Sequence, residues 1–276
     1  MHMNILNLFK KKDAVPLKLV CFDLDNTLCE YDAAEAETEA YIADMIYADF
    51  LQHKKHPARA KKAKTVRQSK SSTALTLSAI LKAFNESKHA HMHKDLEPEQ
   101  FSRGLWLAET LQKLPVTITP ARIKTLSAAY EKAYWDFLIP KLKLYPHTLE
   151  TLQALKNKGI ITACLTDSDG EKGIKIRRMV YLGLDKYLDF IITTDDTKKN
   201  KPAIENWEYL LKAVGVLGKE CMMVGDHPDI DLLVPKGLGF RTVWTKEHFN
   251  TSTHFKYVDH EIHHISDVEK IAKKYA

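Results

Sequence analysis

The sequence predicts an α/β protein, in which a parallel β-sheet carries helices on both faces and a long helical segment follows the first strand. Three observations predict it. Short apolar runs rich in β-branched residues recur along the chain, helical patterns separate the later runs, and more than a hundred residues separate the first two runs. Strands that alternate with helices form parallel sheets with right-handed crossovers.

Five apolar runs are expected to form strands of this sheet: 17–22, 160–165, 189–193, 221–224 and 240–244. Most positions in these runs are apolar rather than alternately apolar and polar, as expected for strands that are covered on both faces. Between the later runs, the segments 147–158 and 205–214 have the apolar spacing of helices. The core is therefore expected to be a Rossmann-like sheet with helices on both faces.

The stretch between the first two strands is too long to be a loop and has the pattern of helices. Four helices are expected there, at about 33–53, 73–90, 98–113 and 119–139. Residues that favour helix starts stand near several of these starts, such as Thr119-Pro120 before the last helix. We therefore assign 30–140 to an all-helical domain, and 1–29 together with 141–276 to a discontinuous core domain.

Composition and charge exclude several classes of protein. No apolar run approaches the roughly 20 residues that span a membrane, and segment 1–12 lacks the apolar stretch and cleavage site of a secretory signal. The cysteines, Cys21, Cys29, Cys164 and Cys221, include no CxxC pair and lack disulfide-scaffold spacing, which favours reduced thiols in a cytoplasmic protein. The net charge of +5 is mild and attracts anions in general.

The segment 54–70 is strongly basic, with eight Lys or Arg residues and no Asp or Glu. It fits a solvated connection between two helices, and it also fits a flexible arm that attracts a phosphorylated substrate or a polyanion. No aromatic residues interleave these charges, which argues against base stacking and so against nucleic acid as a partner. The alternating His89, His91 and His93 would not share one helix face, so we interpret them as a polar helix end rather than a metal site.

Polar residues stand at the ends of the first four predicted core strands, and this edge of a parallel sheet is where ligands bind. They are Asp23 and Asp25, then Thr166 and Asp167, then Lys201 with Lys198 and Lys199 nearby, and finally Asp226 and Asp231. Several carboxylates that lie close together repel one another and raise one another's pKa, which a divalent cation relieves. All-oxygen ligation of this kind suits Mg²⁺.

Phosphate chemistry fits this set of groups. A metal ion screens a carboxylate nucleophile from a phosphoryl group, and a lysine and a hydroxyl can take up charge on the transferring oxygens. The nucleophile forms an acyl phosphate, and a second carboxyl can protonate the leaving oxygen and then activate water. Because residues i and i+2 share a side of an extended chain, Asp23 and Asp25 are expected to face the site while Leu24 packs inward.

The order of these motifs resembles that of the haloacid dehalogenase (HAD) superfamily of phosphohydrolases. Four segments carry the resemblance: Asp23-Leu24-Asp25-Asn26-Thr27-Leu28, Leu165-Thr166-Asp167, Lys201-Pro202, and Gly225-Asp226 with Asp231. It covers about 1–29 and 142–276, and it implies that 30–140 is a helical cap domain that closes over the site. Each motif alone also occurs in ordinary turns, so the joint order is the specific observation.

The resemblance implies a role for each matching residue of the first three motifs. Asp23 would be the nucleophile and a Mg²⁺ ligand. Asp25 would be the general acid/base, with its backbone carbonyl on the metal. Thr166, Asp167 and Lys201 would bind the phosphoryl group, although Asp167 stands where many relatives carry Asn.

In the fourth motif, the resemblance implies that Asp226 binds Mg²⁺ and that Asp231 binds it or orients Lys201. Dehalogenases of the superfamily lack an acid at the position of Asp25, so its presence favours a phosphatase that acts on a small phosphorylated metabolite. Two alternatives remain open: phosphoryl transfer to another acceptor, as in mutase relatives, and a binding protein that keeps the fold without catalysis. The intact motif residues argue against the second alternative.

Overall fold

A parallel sheet of six strands forms the core of the computed structural model, which describes residues 15–55, 66–68, 75–92, 97–247 and 253–275. In chain order the elements are β1 (Leu19–Phe22), β2 (Cys29–Glu30), α1 (Asp32–Lys55), β3 (Val66–Gln68), α2 (Leu77–Met92), α3 (Arg103–Lys113), β4 (Val116–Ile118), α4 (Pro120–Leu138), β5 (Lys143–Leu144), α5 (Thr148–Asn157), β6 (Ile161–Thr166), α6 (Lys172–Tyr181), β7 (Phe190–Thr193), α7 (Thr194–Thr197), α8 (Glu205–Val214), β8 (Cys221–Gly225), α9 (Leu233–Gly237), β9 (Arg241–Thr245), β10 (His260–Ile262) and α10 (Asp267–Ala272).

The strand order of the core sheet is β10-β9-β8-β1-β6-β7, and every neighbouring pair is parallel. The chain builds outward from β1 through β6 and β7, then returns to the other side of β1 to add β8, β9 and β10. The carboxyl end of β1 is therefore the point where the strand order reverses, which is where open α/β sheets bind ligands. The five predicted strands are confirmed, and β10 was not predicted.

Both faces of the sheet are buried, as the apolar runs predict. In β1, Val20 and Phe22 pack into one apolar cluster, whereas Leu19 and Cys21 pack into the cluster on the opposite face. All four side chains are fully buried. Helices α5 and α10 cover the first face and α8 covers the second. The strand is thus apolar at every position because each position belongs to a core.

Within the described residues between β1 and β5, four α-helices share an apolar cluster of their own. Their caps follow from the sequence: the Ser102 side chain accepts from the Leu105 N–H at the start of α3, and Thr119 accepts from the Arg122 N–H at the start of α4. A short antiparallel pair, β3 with β4, adds to the helices. The predicted fold class, a Rossmann-like core with a helical cap domain, is confirmed.

Two predictions about the cap domain concern residues outside the described part of the chain. Most of the basic segment 54–70 lies there, and so does His93. The boundaries of the two domains also stay predictions. Among the residues that the structure describes, no helix is long and apolar enough to cross a membrane. The four cysteines are free and buried.

The cap domain contacts the core at the carboxyl edge of the sheet. Gly170, with φ of +88°, lies so close to Ser102 that a Cβ at position 170 would stand 2.4 Å from the Ser102 Cα. Only glycine fits both the conformation and the space. The Asn200 side chain donates to the Glu97 carbonyl at 2.9 Å. These contacts join the cap domain to the segments that follow β6 and β7.

Candidate active site

Asn26 organises the loop that follows β1. Its φ is 58°, in the left-handed region that Asn tolerates better than most residues. Its Oδ1 accepts from the N–H groups of Tyr31 at 3.1 Å and Asp32 at 3.3 Å, so the loop is tied to the start of α1. Asp23 and Asp25 both line the cavity at this edge, while Leu24 is fully buried in the core as predicted.

Three carboxylates meet beside the end of β1. Oxygen atoms of Asp23, Asp226 and Asp231 all lie within 4.8 Å of one another, and the three residues are buried. We call these three residues the carboxylate cluster. The Lys201 ammonium donates to Asp23 Oδ1 and to Asp231 Oδ1, each at 2.6 Å. The structure therefore brings together residues that are more than two hundred positions apart in sequence.

The fourth motif places Asp231 through a close backbone approach. A Cβ on Gly225 would stand 2.4 Å from the Asp231 Cβ, so this position of β8 requires glycine. The other Asp231 oxygen, Oδ2, accepts from the His227 N–H at 2.9 Å. Thr27 donates to Asp226 Oδ1 at 3.3 Å. Asp231 is thus held by two donors and directs Oδ1 at Lys201.

The carboxylate cluster carries more negative than positive charge. Burial raises the pKa of Asp23 to about 7, since the opposing charge of Lys201 only partly offsets it and Asp231 adds repulsion. Burial, Asp231 and Asp23 raise the pKa of Asp226 well above its usual range. Burial would lower the pKa of Lys201, but Asp23 and Asp231 outweigh it and raise that pKa. Hard oxygen donors with unbalanced negative charge are the chemistry that suits Mg²⁺.

The residues expected to bind a phosphoryl group line the same cavity. Thr166 ends β6 and is buried. The Asp167 Oδ1 accepts from the backbone N–H of Lys201 at 2.8 Å, and burial raises the pKa of Asp167. Lys198 and Lys199 are exposed, and Lys198 pairs with Glu99 at 3.8 Å. Of these three lysines, Lys201 is the one at the carboxylate cluster.

Asp25 belongs to a second charged group, which we call the charge quartet: Asp25, Asp169, Lys175 and Arg178. Arg178 donates to both Asp25 oxygens and to Asp169 Oδ2 at 2.9 Å. Lys175 lies 2.9 Å from Asp25 Oδ2 and 3.2 Å from Asp169 Oδ1. Burial opposes ionisation of Asp25, but Arg178 and Lys175 outweigh it and hold its pKa below the usual range. The quartet has two negative and two positive groups.

The sequence reasoning missed the other three members of the quartet. Lys175 and Arg178 stand three residues apart on α6, so both reach the same side of that helix. Their side chains are 2% and 0% exposed. Two cations at this spacing, on the helix after the Thr166 strand, were the available signal, because a partly buried Asp25 needs compensating charge.

A cavity of about 240 Å³ lies between the sheet edge and the cap domain, and all seven predicted site residues line it. The cap domain contributes further lining residues: Tyr31, Asp32, Glu35, Lys88, Met92, Phe101, Arg103 and Trp106. Among these, only Trp106 was considered from the sequence, where its two uses were pocket lining and, as the favoured one, core packing. The arrangement places the buried carboxylate of Asp23 next to two further carboxylates and a lysine, in a cavity that the cap domain also lines.

Comparisons with known proteins agree with this arrangement. A glyceraldehyde 3-phosphate phosphatase of Methanocaldococcus jannaschii is 31% identical over 144 residues, which cover 51% of this chain and 61% of that protein. A putative pyrophosphatase PpaX of Clostridium perfringens is 30% identical over 204 residues, which cover 70% of this chain and 90% of the relative. The crystal structure of a HAD phosphatase from Thermococcus onnurineus shares the fold, with a TM-score of 0.67 and 20% identity over 92% of this chain and 97% of that one.

The chain thus spans about three fifths of the length of the Methanocaldococcus relative. A family model described as haloacid dehalogenase-like hydrolase matches residues 17–239, which include the core strands β1, β6, β7 and β8 and the whole cap domain. The match contains every residue of the carboxylate cluster and of the charge quartet. The chain belongs to the haloacid dehalogenase-like hydrolases.

Proposed function

We propose that the protein is a Mg²⁺-dependent phosphatase that hydrolyses a small phosphate monoester through an aspartyl-phosphate intermediate on Asp23. The observation that carries the proposal is the carboxylate cluster, whose oxygen atoms lie within 4.8 Å of one another with Lys201 beside them. The two relatives described above are named a phosphatase and a putative pyrophosphatase, which supports phosphate esters or anhydrides as the substrate class.

The residues present fit Mg²⁺ as the cofactor. The carboxylates of Asp23, Asp226 and Asp231 and the backbone carbonyl of Asp25 would hold it. All of these are hard oxygen donors, and burial, reinforced by repulsion from Asp231, raises the pKa values of Asp23 and Asp226, which a bound cation would counteract. When bound, Mg²⁺ supplies positive charge that screens the nucleophile from the phosphoryl group.

The residues of this chain carry the steps of the reaction. An oxygen of Asp23 attacks phosphorus, so that an O–P bond to Asp23 forms while the bond to the ester oxygen breaks. Lys201 and the Thr166 hydroxyl donate to the oxygens of the phosphoryl group, Asp167 binds them through its backbone N–H, and Lys201 offsets the charge that develops there. Asp25 gives a proton to the leaving oxygen and then takes one from the water that cleaves the intermediate.

Asp25 must leave the charge quartet to act as an acid. While Arg178 and Lys175 contact it, its lowered pKa keeps the carboxyl ionised and without a proton to give. Asp169 contacts both cations as well, so the two cations keep a carboxylate partner when Asp25 turns toward the ester oxygen. We propose that binding of the ester under the cap domain, residues 30–140, accompanies this change. Closure of the cap excludes bulk water from the site while Asp23 attacks the ester.

The test is release of phosphate from p-nitrophenyl phosphate, measured with Mg²⁺ and with EDTA. We expect turnover that depends on Mg²⁺. A wild-type protein without such turnover that still binds phosphate esters would support a binding protein instead. Conversion of one sugar phosphate to another without free phosphate would support a phosphomutase.

We also expect the protein in the cytoplasm, because its four cysteines are unpaired thiols.

A further inference from the structure

On the cap side of the cavity, Glu35 is the central residue, and both of its carboxylate oxygens already accept hydrogen bonds from other side chains. Its Oε1 accepts from the Tyr31 hydroxyl at 3.1 Å, from Arg103 at 3.0 Å and from the Tyr134 hydroxyl at 3.2 Å. Its Oε2 accepts from Lys88 at 2.5 Å. Burial opposes ionisation of Glu35, but Arg103 and Lys88 outweigh it and lower its pKa. Glu35 therefore fixes the donors of this wall and is not available to a ligand.

The donors of the same wall are not all used. Arg103 is 4% exposed and donates to Tyr31, Glu35 and the Phe101 carbonyl. Its Nε is buried and has no hydrogen-bond partner among the described residues. The Lys88 ammonium has three N–H donors, and it donates to Glu35 and to Glu39. We call Tyr31, Glu35, Lys88 and Arg103 the cap wall. Its cations keep N–H groups that can donate to a ligand, whereas both oxygens of its carboxylate already accept hydrogen bonds from the protein.

Electrostatics decides which kind of acceptor this wall can take. The two cations of the cap wall are matched by Glu35 and Glu39, so they carry no excess positive charge. Across the cavity, the core lining contains six aspartates, and only three core cations face them: Lys175 and Lys201 in the lining and Arg178 paired with Asp25 and Asp169. A bound Mg²⁺ would offset two of these charges and the phosphoryl group would restore them. A second anionic group on the substrate would therefore be buried without compensation, which is costly.

Size and apolar lining limit the carbon skeleton. The cavity of about 240 Å³ must hold the phosphoryl group as well as the rest of the substrate. Cavities for drug-sized ligands measure roughly 300–1,000 Å³. Phe101 and Trp106 line the space next to Arg103, and the Arg103 guanidinium lies 4.3 Å from the centre of the Trp106 ring. The space suits a short chain of a few carbons and excludes a nucleotide.

We propose that the cap wall selects short phosphate esters whose leaving group is uncharged and carries hydroxyl or carbonyl oxygens, as in a small polyol or sugar phosphate. Lys88 and Arg103 donate to one of these oxygens, and they are the specificity-determining residues of the site. This inference rests on the proposed phosphatase function and adds the substrate class to it. A wall built to hydrogen-bond an oxygen discriminates strongly against an analogue that lacks it.

Three substrates of similar size test the proposal: glycerol phosphate, n-propyl phosphate and phosphoglycerate. Besides the phosphate ester, glycerol phosphate carries hydroxyl groups and n-propyl phosphate carries no further oxygen. Phosphoglycerate carries a carboxylate. We expect wild-type kcat/KM for glycerol phosphate to exceed the values for the other two by at least about tenfold. In Lys88→Met the preference for glycerol phosphate over n-propyl phosphate falls by about tenfold. Lys82→Met, on the same helix but with a side chain that is 78% exposed, is the matched control and keeps the wild-type preference.

Other outcomes overturn the proposal. Phosphoglycerate as the best of the three would show that the wall takes a second anion. Equal wild-type kcat/KM values for glycerol phosphate and n-propyl phosphate would show that the cap wall does not recognise oxygens. This comparison uses wild-type protein alone, so it holds even if Lys88→Met does not fold. Turnover of p-nitrophenyl phosphate without turnover of the three probes would refute the substrate class and leave the phosphatase function standing. Absence of all turnover, with Mg²⁺ present, would refute the function and the inference together.

Discussion

The carboxylate cluster and the charge quartet lie next to each other at the end of β1, yet their charge balances differ. The cluster sets three carboxylates against one lysine, and burial raises the pKa values of Asp23 and Asp226. The quartet sets two carboxylates against two cations, and the pKa of Asp25 lies below its usual range. Two aspartates that are two residues apart thus have pKa values shifted in opposite directions. The difference supports the proposal that the cluster binds a cation from outside, whereas the charges of the quartet are balanced within the chain.

The largest expected effect is on the nucleophile. In Asp23→Asn, kcat for p-nitrophenyl phosphate should fall by at least about 10³-fold, because an amide cannot form the acyl phosphate. The melting temperature should not fall, since the substitution removes one of three repelling carboxylates. Asp185→Asn, at an exposed position, is the control and keeps its activity. Near-normal turnover by Asp23→Asn would identify a different nucleophile.

The second prediction contrasts a cation of the quartet with the cation of the cluster. Arg178→Met should lower the free energy of unfolding by about 3–5 kcal/mol, because it leaves the buried Asp169 and the partly buried Asp25 with Lys175 as their one cation in the quartet. Lys201→Met should also destabilise the protein, but Mg²⁺ should restore part of that loss by binding the same carboxylates. Urea unfolding of both variants, with Mg²⁺ and with EDTA, measures the contrast.

Arg178→Lys is the control for the quartet, since it keeps the charge and loses the paired geometry, and it should be less destabilising than Arg178→Met. Recovery of the Arg178→Met variant by Mg²⁺ would contradict the contrast. It would mean that the quartet is open to an added cation and that the two groups are not distinct.

A third prediction concerns pH. A carboxyl whose pKa rises on folding binds more protons in the folded state, so it disfavours folding increasingly as pH rises from its unfolded pKa to its folded pKa. For Asp23 this window runs from about 4 to about 7. Mg²⁺ binds the ionised form, so its stabilising effect should grow across the window.

Thermal unfolding with and without Mg²⁺ at several pH values measures this effect. The rise in melting temperature that Mg²⁺ causes should be larger above pH about 7 than below pH about 5. In Asp226→Asn the rise should shrink at every pH. An increase that is equal at all pH values would show that Mg²⁺ binds elsewhere.

The smallest expected effect is at Asp167. Its Oδ1 accepts from the Lys201 N–H, and an amide oxygen can accept the same hydrogen bond. Asp167→Asn also removes a negative charge beside the phosphoryl group, so kcat/KM should stay within about threefold of wild type or rise. A loss of more than a hundredfold would show that the carboxyl of Asp167 takes part in proton transfer.

The sequence was sufficient for the core and for the residues at strand ends, because both depend on local patterns. Apolar runs predicted five of the six core strands, and parallel strands bring Asp23, Thr166 and Asp226 to one edge whatever the details of packing. Strand β10 was missed because it has only three residues, His260–Ile262, and one of them is a glutamate.

The charge quartet and the cap wall could not be predicted in the same way. Their contacts depend on how α6 and the cap helices pack, and a lysine or arginine on a helix is usually solvent-exposed. Lys175 has the same sequence context as many surface lysines, yet it is 2% exposed and pairs with Asp25 and Asp169. Arg103 likewise follows an ordinary N-cap serine and is buried against aromatic rings.

The most direct measurement of the central claim is identification of the phosphorylated residue during turnover. Wild-type protein would be mixed with p-nitrophenyl phosphate, quenched rapidly in acid, digested and analysed by mass spectrometry, once with Mg²⁺ and once with EDTA. We predict a phosphoryl group on Asp23 in the sample with Mg²⁺, and none in the sample with EDTA or in Asp23→Asn. A phosphoryl group on another residue, or one on Asp23 that forms equally in EDTA, would contradict the account.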